Sequence, residues 1–317
     1  MPPDRREFLK TCALASVAVS MKATANPSPF SVDTKTWRVG AARLDVINIG
    51  DITGALGGSM RSPTNASEAD KQAMSAILVN HRLMPMQDVL VRAPRLTVMV
   101  DAGAYDIRPD ESYVVRGYAP PPPLADRLSA LGVAPETVRH VVFTHRHFDH
   151  INGAVVRGSD GSARPLFPNA RHYIQRADWE YARTRIADLN TRLGRTFSVL
   201  APAGLVEVIE GDIDLGHGVR ILAAPGETPG HQCVRVESEG QAAYLVGDMI
   251  HHAGEVAHPG FMVDWADQAT NVASRRKIFE AAADEAALMI ASHIPQAGRF
   301  SRVAGQPAWA DLPADQS

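Results

Sequence analysis

One short histidine-rich run constrains this chain more than any other feature of its sequence. Residues 144–150 read Thr-His-Arg-His-Phe-Asp-His, which places four potential metal ligands within six residues: His145, His147, Asp149 and His150. The stretch before it, residues 138–143, is apolar and β-branched and predicts a buried strand that ends at the run. A loop leaving a strand can turn the first two imidazoles toward one point and the Asp–His pair toward a neighbouring point. Because imidazole nitrogen and carboxylate oxygen are donors that zinc prefers, the run predicts a metal site.

The N-terminus has the pattern of an export signal. Arg5 and Arg6 belong to a twin-arginine signature, which is followed by a short, mildly apolar run and by the small residues Ala23-Thr24-Ala25, a cleavage signal. We therefore divide the chain into a twin-arginine signal peptide, residues 1–25, and one mature domain, residues 26–317. The twin-arginine machinery moves folded proteins, often with a cofactor loaded, so we expect a periplasmic protein that takes its metal before export. No segment has the roughly 20 apolar residues that a membrane helix needs, and we expect no membrane span.

Composition limits the partners of the mature domain. A length of roughly 290 residues suits one large domain with a substantial core. The net charge of −3 argues against a nucleic-acid partner, which usually leaves a strongly basic footprint. Cys12 lies in the signal, so Cys233 has no partner for a disulfide and is expected to be an inert core thiol. We expect a small-molecule substrate, and the sequence leaves the oligomeric state open, with a dimer as one candidate.

Strand and helix patterns alternate along the mature chain and predict one α/β domain. Strands are predicted at residues 96–100, 138–143 and 219–222, and the last clear strand is predicted at 288–291. A hairpin joins 233–237 to 242–246 around Glu239-Gly240. Helices are predicted at residues 177–193 and 266–286. Residues 52–92 are mixed, with a helical stretch at 67–80, and we interpret them as an insertion or a loop near one end of the sheet.

Three further strand ends each carry one residue of a type that binds metal. His231 follows a Pro-Gly turn, Asp248 follows the apolar strand 243–246, and His293 follows the strand 288–291. Layered α/β folds assemble their active sites where strands meet loops. Taken with the run at 144–150, these three residues complete two metal sites.

The ordered set of these residues resembles the metallo-β-lactamase superfamily. The resemblance spans most of the mature chain and implies a four-layer αββα sandwich with a two-metal site at one edge, between its sheets. It implies that His145, His147 and His231 hold a first zinc and that Asp149, His150 and His293 hold a second. Asp248 would bridge the two ions together with a hydroxide, which gives two Zn²⁺ per chain, with other divalent metals as alternatives.

Residues around the motif point to one branch of this superfamily. The surroundings of His231, Asp248 and His293, with the stretches 167–170 and 273–277, resemble the methyl parathion hydrolases and the N-acyl-homoserine lactonases. The commonest penicillin-hydrolysing subclass has a cysteine where this chain has Asp248, and the flavodiiron branch has a glutamate where His147 stands. Lactonases repeat Thr-Pro-Gly-His, whereas the first half of the repeat here ends in Glu227, which weakens the expectation of homoserine lactones.

We therefore expect a di-zinc hydrolase in which a metal-bridging hydroxide attacks small, mostly neutral esters, with lactones ahead of phosphotriesters. The catalytic residues would be Asp248, through the bridge, and Asp149, as a proton donor to the leaving group or as a ligand only. The alternatives are a mononuclear iron persulfide dioxygenase, β-lactam hydrolysis, and a metal-binding module without catalysis.

Other residues are expected to support the site or to line it. His251 and His252 would hydrogen-bond to ligands, and Asp101 would support the site from a turn. The aromatic residues Trp179, Tyr181, Phe197 and Phe261 would line a pocket or pack in the core.

Overall fold

In a computed structural model of the chain, the described residues are 34–53, 60–79, 83–105 and 122–312. The predicted signal peptide, residues 1–25, lies outside the described residues. None of the described helices is long and apolar enough to cross a membrane.

Two seven-stranded sheets form the frame of the described part of the chain. The first sheet has the order β1 (Thr34–Val39), β2 (Ala42–Thr53), β4 (Leu83–Ala93), β5 (Leu96–Val100), β6 (His140–Val142), β9 (Arg171–Gln175) and β10 (Val206–Ile209). The second has the order β11 (Ile213–Gly216), β12 (Val219–Ala223), β13 (Gln232–Ser238), β14 (Gln241–Leu245), β16 (Leu288–Ile290), β17 (Gly298–Val303) and β18 (Gln306–Asp311). Two short ribbons pair β3 (Met60–Arg61) with β15 (Met262–Val263), and β7 (Val155–Arg157) with β8 (Ala163–Pro165).

The described part of the chain contains six helices, several of which pack on the outer faces of the two sheets. They are α1 (Glu68–Val79), α2 (Leu124–Ala130), α3 (Phe148–Ile151), α4 (Arg176–Ala182), α5 (Arg192–Leu200) and α6 (Gln268–Asp284). Single 3₁₀ turns occur at Pro135–Thr137, Asn152–Ala154, Arg183–Arg185 and Ala253–Glu255.

The alternation of side chains along each strand builds three apolar layers. Val89 of β4 and Val234 of β13 face each other's sheets in a central core. Leu90, the neighbour of Val89, points the other way and packs with α2 and α5. Cys233, the neighbour of Val234, packs in the same way toward α6. Because successive residues of a strand point to opposite faces, this pattern requires helices outside both sheets. The predicted αββα sandwich is confirmed, and Cys233 is a free, buried thiol.

Local turn and capping contacts explain two predicted boundaries, the turn of the β13–β14 hairpin and the start of helix α6. The β13–β14 hairpin turns at Glu239 and Gly240, whose φ angles of 52° and 75° are those of a type I′ turn. Helix α6 begins where the carboxylate of Asp267 accepts a hydrogen bond from the backbone N–H of Thr270 at 2.8 Å.

Three parts of the sequence interpretation are wrong. Residues 52–92 are not mainly an insertion, because β4 pairs with both β2 and β5 inside the first sheet. The single helix expected at 177–193 is two helices, α4 and α5, since Thr191 caps a new helix by accepting from the N–H of Gly194 at 3.0 Å. Two further strands, β17 and β18, follow the strand at 288–291 and complete the edge of the second sheet.

Candidate metal centre

The predicted ligands stand at one edge of the sandwich, where strands of both sheets end. His145 and His147 lie in the loop after β6, and Asp149 and His150 lie in α3, which that loop enters. His231 immediately precedes β13. Strands β14 and β16 pair in parallel, so their ends bring Asp248 and His293 side by side. All seven predicted residues are thereby collected in one place.

The first group of side chains surrounds His145. Its ring centroid lies 4.4 Å from that of His147 and 5.4 Å from that of His231. Its Nε2 atom lies 3.7 Å from Oδ2 of Asp248. His145 and His231 are buried, and His147 is partly exposed. These distances suit side chains that share one ion.

The second group lies on the other side of Asp248. Nε2 of His293 is 3.3 Å from Oδ2 of Asp149 and 3.1 Å from Oδ2 of Asp248. Nε2 of His150 lies 3.6 Å from Oδ2 of Asp149 and 3.3 Å from Oδ1 of Asp248. Asp248 therefore contacts imidazoles of both groups, which is the position that a bridging ligand needs.

Three of the imidazoles are oriented by acceptors behind them. Nδ1 of His150 lies 2.8 Å from Oδ2 of Asp101, Nδ1 of His231 lies 3.0 Å from the carbonyl oxygen of Ala224, and Nδ1 of His293 lies 2.7 Å from that of Pro85. A ring proton on each Nδ1 leaves the lone pair of Nε2 directed into the site. The sequence-predicted supporting role of Asp101 thus has a direct geometric basis.

The donor atoms that face the centre fit a divalent metal. Among the described residues, several buried atoms make no hydrogen bond: Nε2 of His145, Nε2 of His150, Nε2 of His231 and Oδ1 of Asp248. A buried polar atom left in this way costs about 1–3 kcal/mol, so the cluster is a costly arrangement unless a ligand satisfies it. Imidazole and carboxylate donors together suit zinc and similar ions.

Burial and mutual contact shift the titration of these groups in two directions. Burial lowers the pKa of His231 to about 4, so this ring is neutral and ready to bind a cation. Burial also disfavours the charged form of His293, but the carboxylates of Asp248 and Asp149 outweigh it and raise the pKa of His293 to about 10. The pKa of His150 is raised well above its ordinary value by the same competition. Protonated imidazoles balance the carboxylates here, and a bound metal would displace those protons.

Asp178 of α4 ties two of the ligand loops together, a role that the sequence did not indicate. Its buried carboxylate accepts hydrogen bonds from the backbone N–H of Arg146 at 3.0 Å and from that of Gly230 at 3.0 Å. It also accepts from the Thr228 hydroxyl at 2.7 Å. A Cβ atom on residue 230 would lie 2.6–2.7 Å from atoms of Asp178, so glycine is required there. Asp178 thus positions the neighbours of His147 and His231.

Glu227 is a second residue whose role the sequence did not reveal. In the sequence, Glu227 stands only as the replacement of a lactonase histidine. Its buried Oε1 accepts a hydrogen bond from Nε1 of Trp265 at 2.5 Å and lies 3.6 Å from Nδ1 of His147. Burial raises the pKa of Glu227 to about 7. Trp265 is 51% exposed and carried no motif that would have indicated the site.

His251 and His252, which were both expected to hydrogen-bond to metal ligands, make different contacts. Nε2 of His251 lies 3.4 Å from Oδ2 of Asp248, and its ring stacks on His293 with centroids 5.6 Å apart. Nδ1 of His252 instead accepts from the N–H of Gly254 at 2.8 Å and caps the 3₁₀ turn Ala253–Glu255.

The four aromatic residues also divide between core and surface. Phe197 is buried and packs edge-on against the partly buried Trp179, and Phe261 is also buried. Tyr181 is exposed and lines a cavity beside the site.

Two cavities meet at His147. One, of about 590 Å³, is lined by arginines 146, 185, 192 and 195 together with Tyr181. The other, of about 460 Å³, is lined by Glu227, Trp265, Pro229 and Thr270. Cavities of this size accept small organic molecules.

Sequence and structure comparisons agree on the relatives of this chain. It is 32% identical over 186 residues to the N-acyl homoserine lactonase AttM of Azorhizobium caulinodans. The aligned segment covers 54% of this chain and 64% of that protein. The chain is also 32% identical over 119 residues to an N-acyl homoserine lactonase of Bacillus cereus, which covers 38% of this chain and 41% of that protein. The chain thus spans about two fifths to two thirds of the length of these relatives.

Solved structures share the fold along nearly the whole chain. The hydrolase AbOPH superposes with a TM-score of 0.70 at 18% identity, covering 89% of this chain and 98% of that one. The dizinc quorum-quenching lactonase AidC superposes with a TM-score of 0.67 at 19% identity, and the superposition covers 88% of this chain and 97% of that one. The profile of the Metallo-beta-lactamase superfamily matches residues 88–293, the span that holds all seven predicted ligands. The chain therefore belongs to the metallo-β-lactamase superfamily.

Proposed function

We propose that this chain is a metal-dependent hydrolase that opens lactones and related small esters at a two-metal centre. The observation that carries the proposal is the convergence of two groups of inward-facing donors on Asp248. The relatives named lactonases support the substrate class, because the chain is 32% identical to one of them over 186 residues.

The chain's own residues would divide the work of this reaction. His145, His147 and His231 would hold the first ion, His150, His293 and Asp149 the second, and Asp248 would contact both. When bound, two divalent ions supply a water made nucleophilic at neutral pH and polarise the carbonyl or phosphoryl oxygen under attack. Asp101 keeps His150 in the orientation that this arrangement needs, through the 2.8 Å contact to Nδ1.

Asp149 is the residue that we propose for proton transfer to the leaving group. Its Oδ2 atom lies 3.3 Å from Nε2 of His293 and 3.6 Å from Nε2 of His150, and the residue stands in the first turn of α3. The ionised carboxylate would accept the proton that the attacking water releases and pass it to the departing alkoxide, which neutralises the charge that develops on that oxygen. In a lactone this alkoxide stays attached to the product.

A substrate panel tests the reaction class. The mature protein, residues 26–317, is loaded with zinc and assayed on γ-lactones with and without an acylamino group, aryl esters, phosphotriesters and β-lactams. We expect the highest kcat/KM for a lactone, with phosphotriesters turned over more slowly at the same centre. Hydrolysis of β-lactams alone would overturn the proposal, and so would persulfide oxidation by the iron-loaded protein without any ester hydrolysis.

We also propose that residues 1–25 direct twin-arginine export to the periplasm. The supporting observation is the Arg5-Arg6 pair ahead of a short apolar run. Changing both arginines to lysine should leave uncleaved, metal-loaded protein in the cytoplasm, whereas Lys22→Arg should leave export unchanged. Cleavage after Ala25 in the double-lysine form would instead indicate the general secretory route.

A further inference from the structure

We propose that Glu227 is an additional ligand of the first metal position, beyond the seven residues that the resemblance supplies. The inference rests on the two-metal centre of the proposed function and does not depend on which ester is hydrolysed. It makes the first position a site with two carboxylates, Glu227 and the bridging Asp248, beside its imidazoles.

The distances around Glu227 are those of a shared ion. One donor atom each from His145, His147, Glu227 and Asp248 can be chosen so that all four lie within 4.8 Å of one another. Oε1 of Glu227 lies 3.6 Å from Nδ1 of His147. Zinc binds nitrogen and carboxylate oxygen at about 2.0–2.2 Å, so two ligands of a tetrahedral ion stand about 3.4 Å apart. The separation of Glu227 and His147 needs little adjustment to match that value.

Burial makes the negative charge of an ionised Glu227 side chain costly unless a cation lies next to it. The residue is 3% exposed, and its Oε2 atom makes no hydrogen bond within the described part of the chain. Its Oε1 atom accepts from the neutral indole of Trp265. A buried carboxylate with such partners is costly unless a positive charge compensates it. His251 is a poor candidate for that charge, because its Nε2 lies 3.9 Å from Glu227 but 3.4 Å from Asp248.

The loop that carries Glu227 is fixed by the neighbouring helix. Gly226 has a φ of 149°, and a Cβ atom there would lie 2.4–2.8 Å from atoms of Asn271 in α6. The carbonyl oxygen of Gly226 accepts from the N–H of Asp267 at 2.8 Å. Glu227 is therefore held toward the centre by the backbone, and its position does not depend on a flexible surface loop.

A second carboxylate should change what the first position binds. It adds negative charge and an oxygen donor to a set that is otherwise imidazole and the shared Asp248. We expect tighter binding of divalent ions, with a larger gain for Mn²⁺, which accepts carboxylate oxygen donors readily.

Metal titration of two variants tests the assignment. The metal-stripped mature protein is titrated with Zn²⁺ against a chromophoric chelator, and with Co²⁺ while its visible absorption is followed. Glu227→Gln should weaken one of the two binding events at least about tenfold, which is the loss seen even for residues that only support a metal ligand. It should also alter the Co²⁺ spectrum, while the other event keeps its affinity. Glu210→Gln makes the same change at an exposed glutamate away from the centre, so it should leave both events as in the wild type.

Two results would overturn the assignment. The first is a Glu227→Gln variant that binds both ions as tightly as the wild type. The second is a Glu227→Gln variant that loses affinity with no change in the Co²⁺ spectrum, which would make Glu227 a positioning residue and not a ligand. If circular dichroism shows that the Gln variant does not fold, Glu227→Ala replaces it, with weakened binding supporting the ligand and wild-type binding excluding it. If the wild-type chain binds no metal, the two-metal centre of the proposed function is wrong. That result differs from a failure of the Glu227 assignment, in which the wild type binds metal and the Gln variant binds it equally well.

Discussion

At the scale of single residues, Asp248 connects the whole site. Its two oxygens face His150 on one side and His145 and His293 on the other, at 3.1–3.7 Å. The sequence revealed this residue because an acid directly after an apolar strand has a recognisable place. It did not reveal Asp178 or the role of Glu227, since a lone acid in a helix or a turn carries no pattern that separates it from a surface residue.

Asp248→Asn should abolish turnover while the fold persists. The amide has the size of the carboxylate but lacks its charge, so it cannot hold two cations together. We expect a loss of more than tenfold in kcat, because a two-metal site supplies several kcal/mol of transition-state stabilisation. Steady-state kinetics and the free energy of unfolding are measured side by side, with the exposed Asp126→Asn on α2 as control. A variant that keeps more than about a tenth of the activity would contradict the bridging role.

At the scale of elements, the ends of strands were predictable and the interruptions of helices were not. The strands before Asp248 and His293 are short apolar runs, a pattern from which strands can be predicted. Strand β4 was missed because its first half, Leu-Met-Pro-Met-Gln-Asp, lacks β-branched residues and contains a proline. The break between α4 and α5 depends on the cap at Thr191, a local hydrogen bond that periodicity does not register.

Helix α6 fixes the loop after Asp248 through one buried ion pair. Arg275 donates to Glu255 and to the carbonyl oxygens of Met249 and Phe261, and Glu255 accepts from the N–H of His251 at 2.8 Å. Both charged side chains are almost fully buried.

Arg275→Met should therefore destabilise the protein by about 3–5 kcal/mol, because it leaves the Glu255 carboxylate buried and unpaired. Arg276→Met, at an exposed position of the same helix, should change stability by less than about 0.5 kcal/mol. Denaturant unfolding of both variants measures the difference. Equal losses would show that the buried pair does not anchor this loop.

At the scale of the whole molecule, the site exists because two sheets end at the same edge. No single segment contains it, since the ligands come from the ends of β6, β14 and β16, from α3 and from the residue before β13. The resemblance to a known superfamily was what allowed the sequence to predict the four layers. Alternating strands and helices alone predicted only an α/β domain.

The metal-free protein should lose stability as the pH rises from about 7 to about 10. The pKa of His293 is raised to about 10 from an ordinary 6.5, so its contribution is present below pH 6.5 and is lost as the pH passes through 10. His150 shifts in the same direction. Chelator-treated protein is unfolded with denaturant across this range, beside zinc-loaded protein, in which the metal replaces the protons. Stability that stays flat or increases in the metal-free form would contradict the charge balance described here.

The central claim is that each chain holds two metal ions between its sheets. The mature protein is loaded with zinc, freed of loose metal by gel filtration, and analysed for zinc and protein in the same sample. Seven donors that converge on Asp248 predict two ions per chain, because one four-coordinate ion leaves donors unused. One ion per chain or fewer would contradict the two-metal centre and, with it, the proposed mechanism.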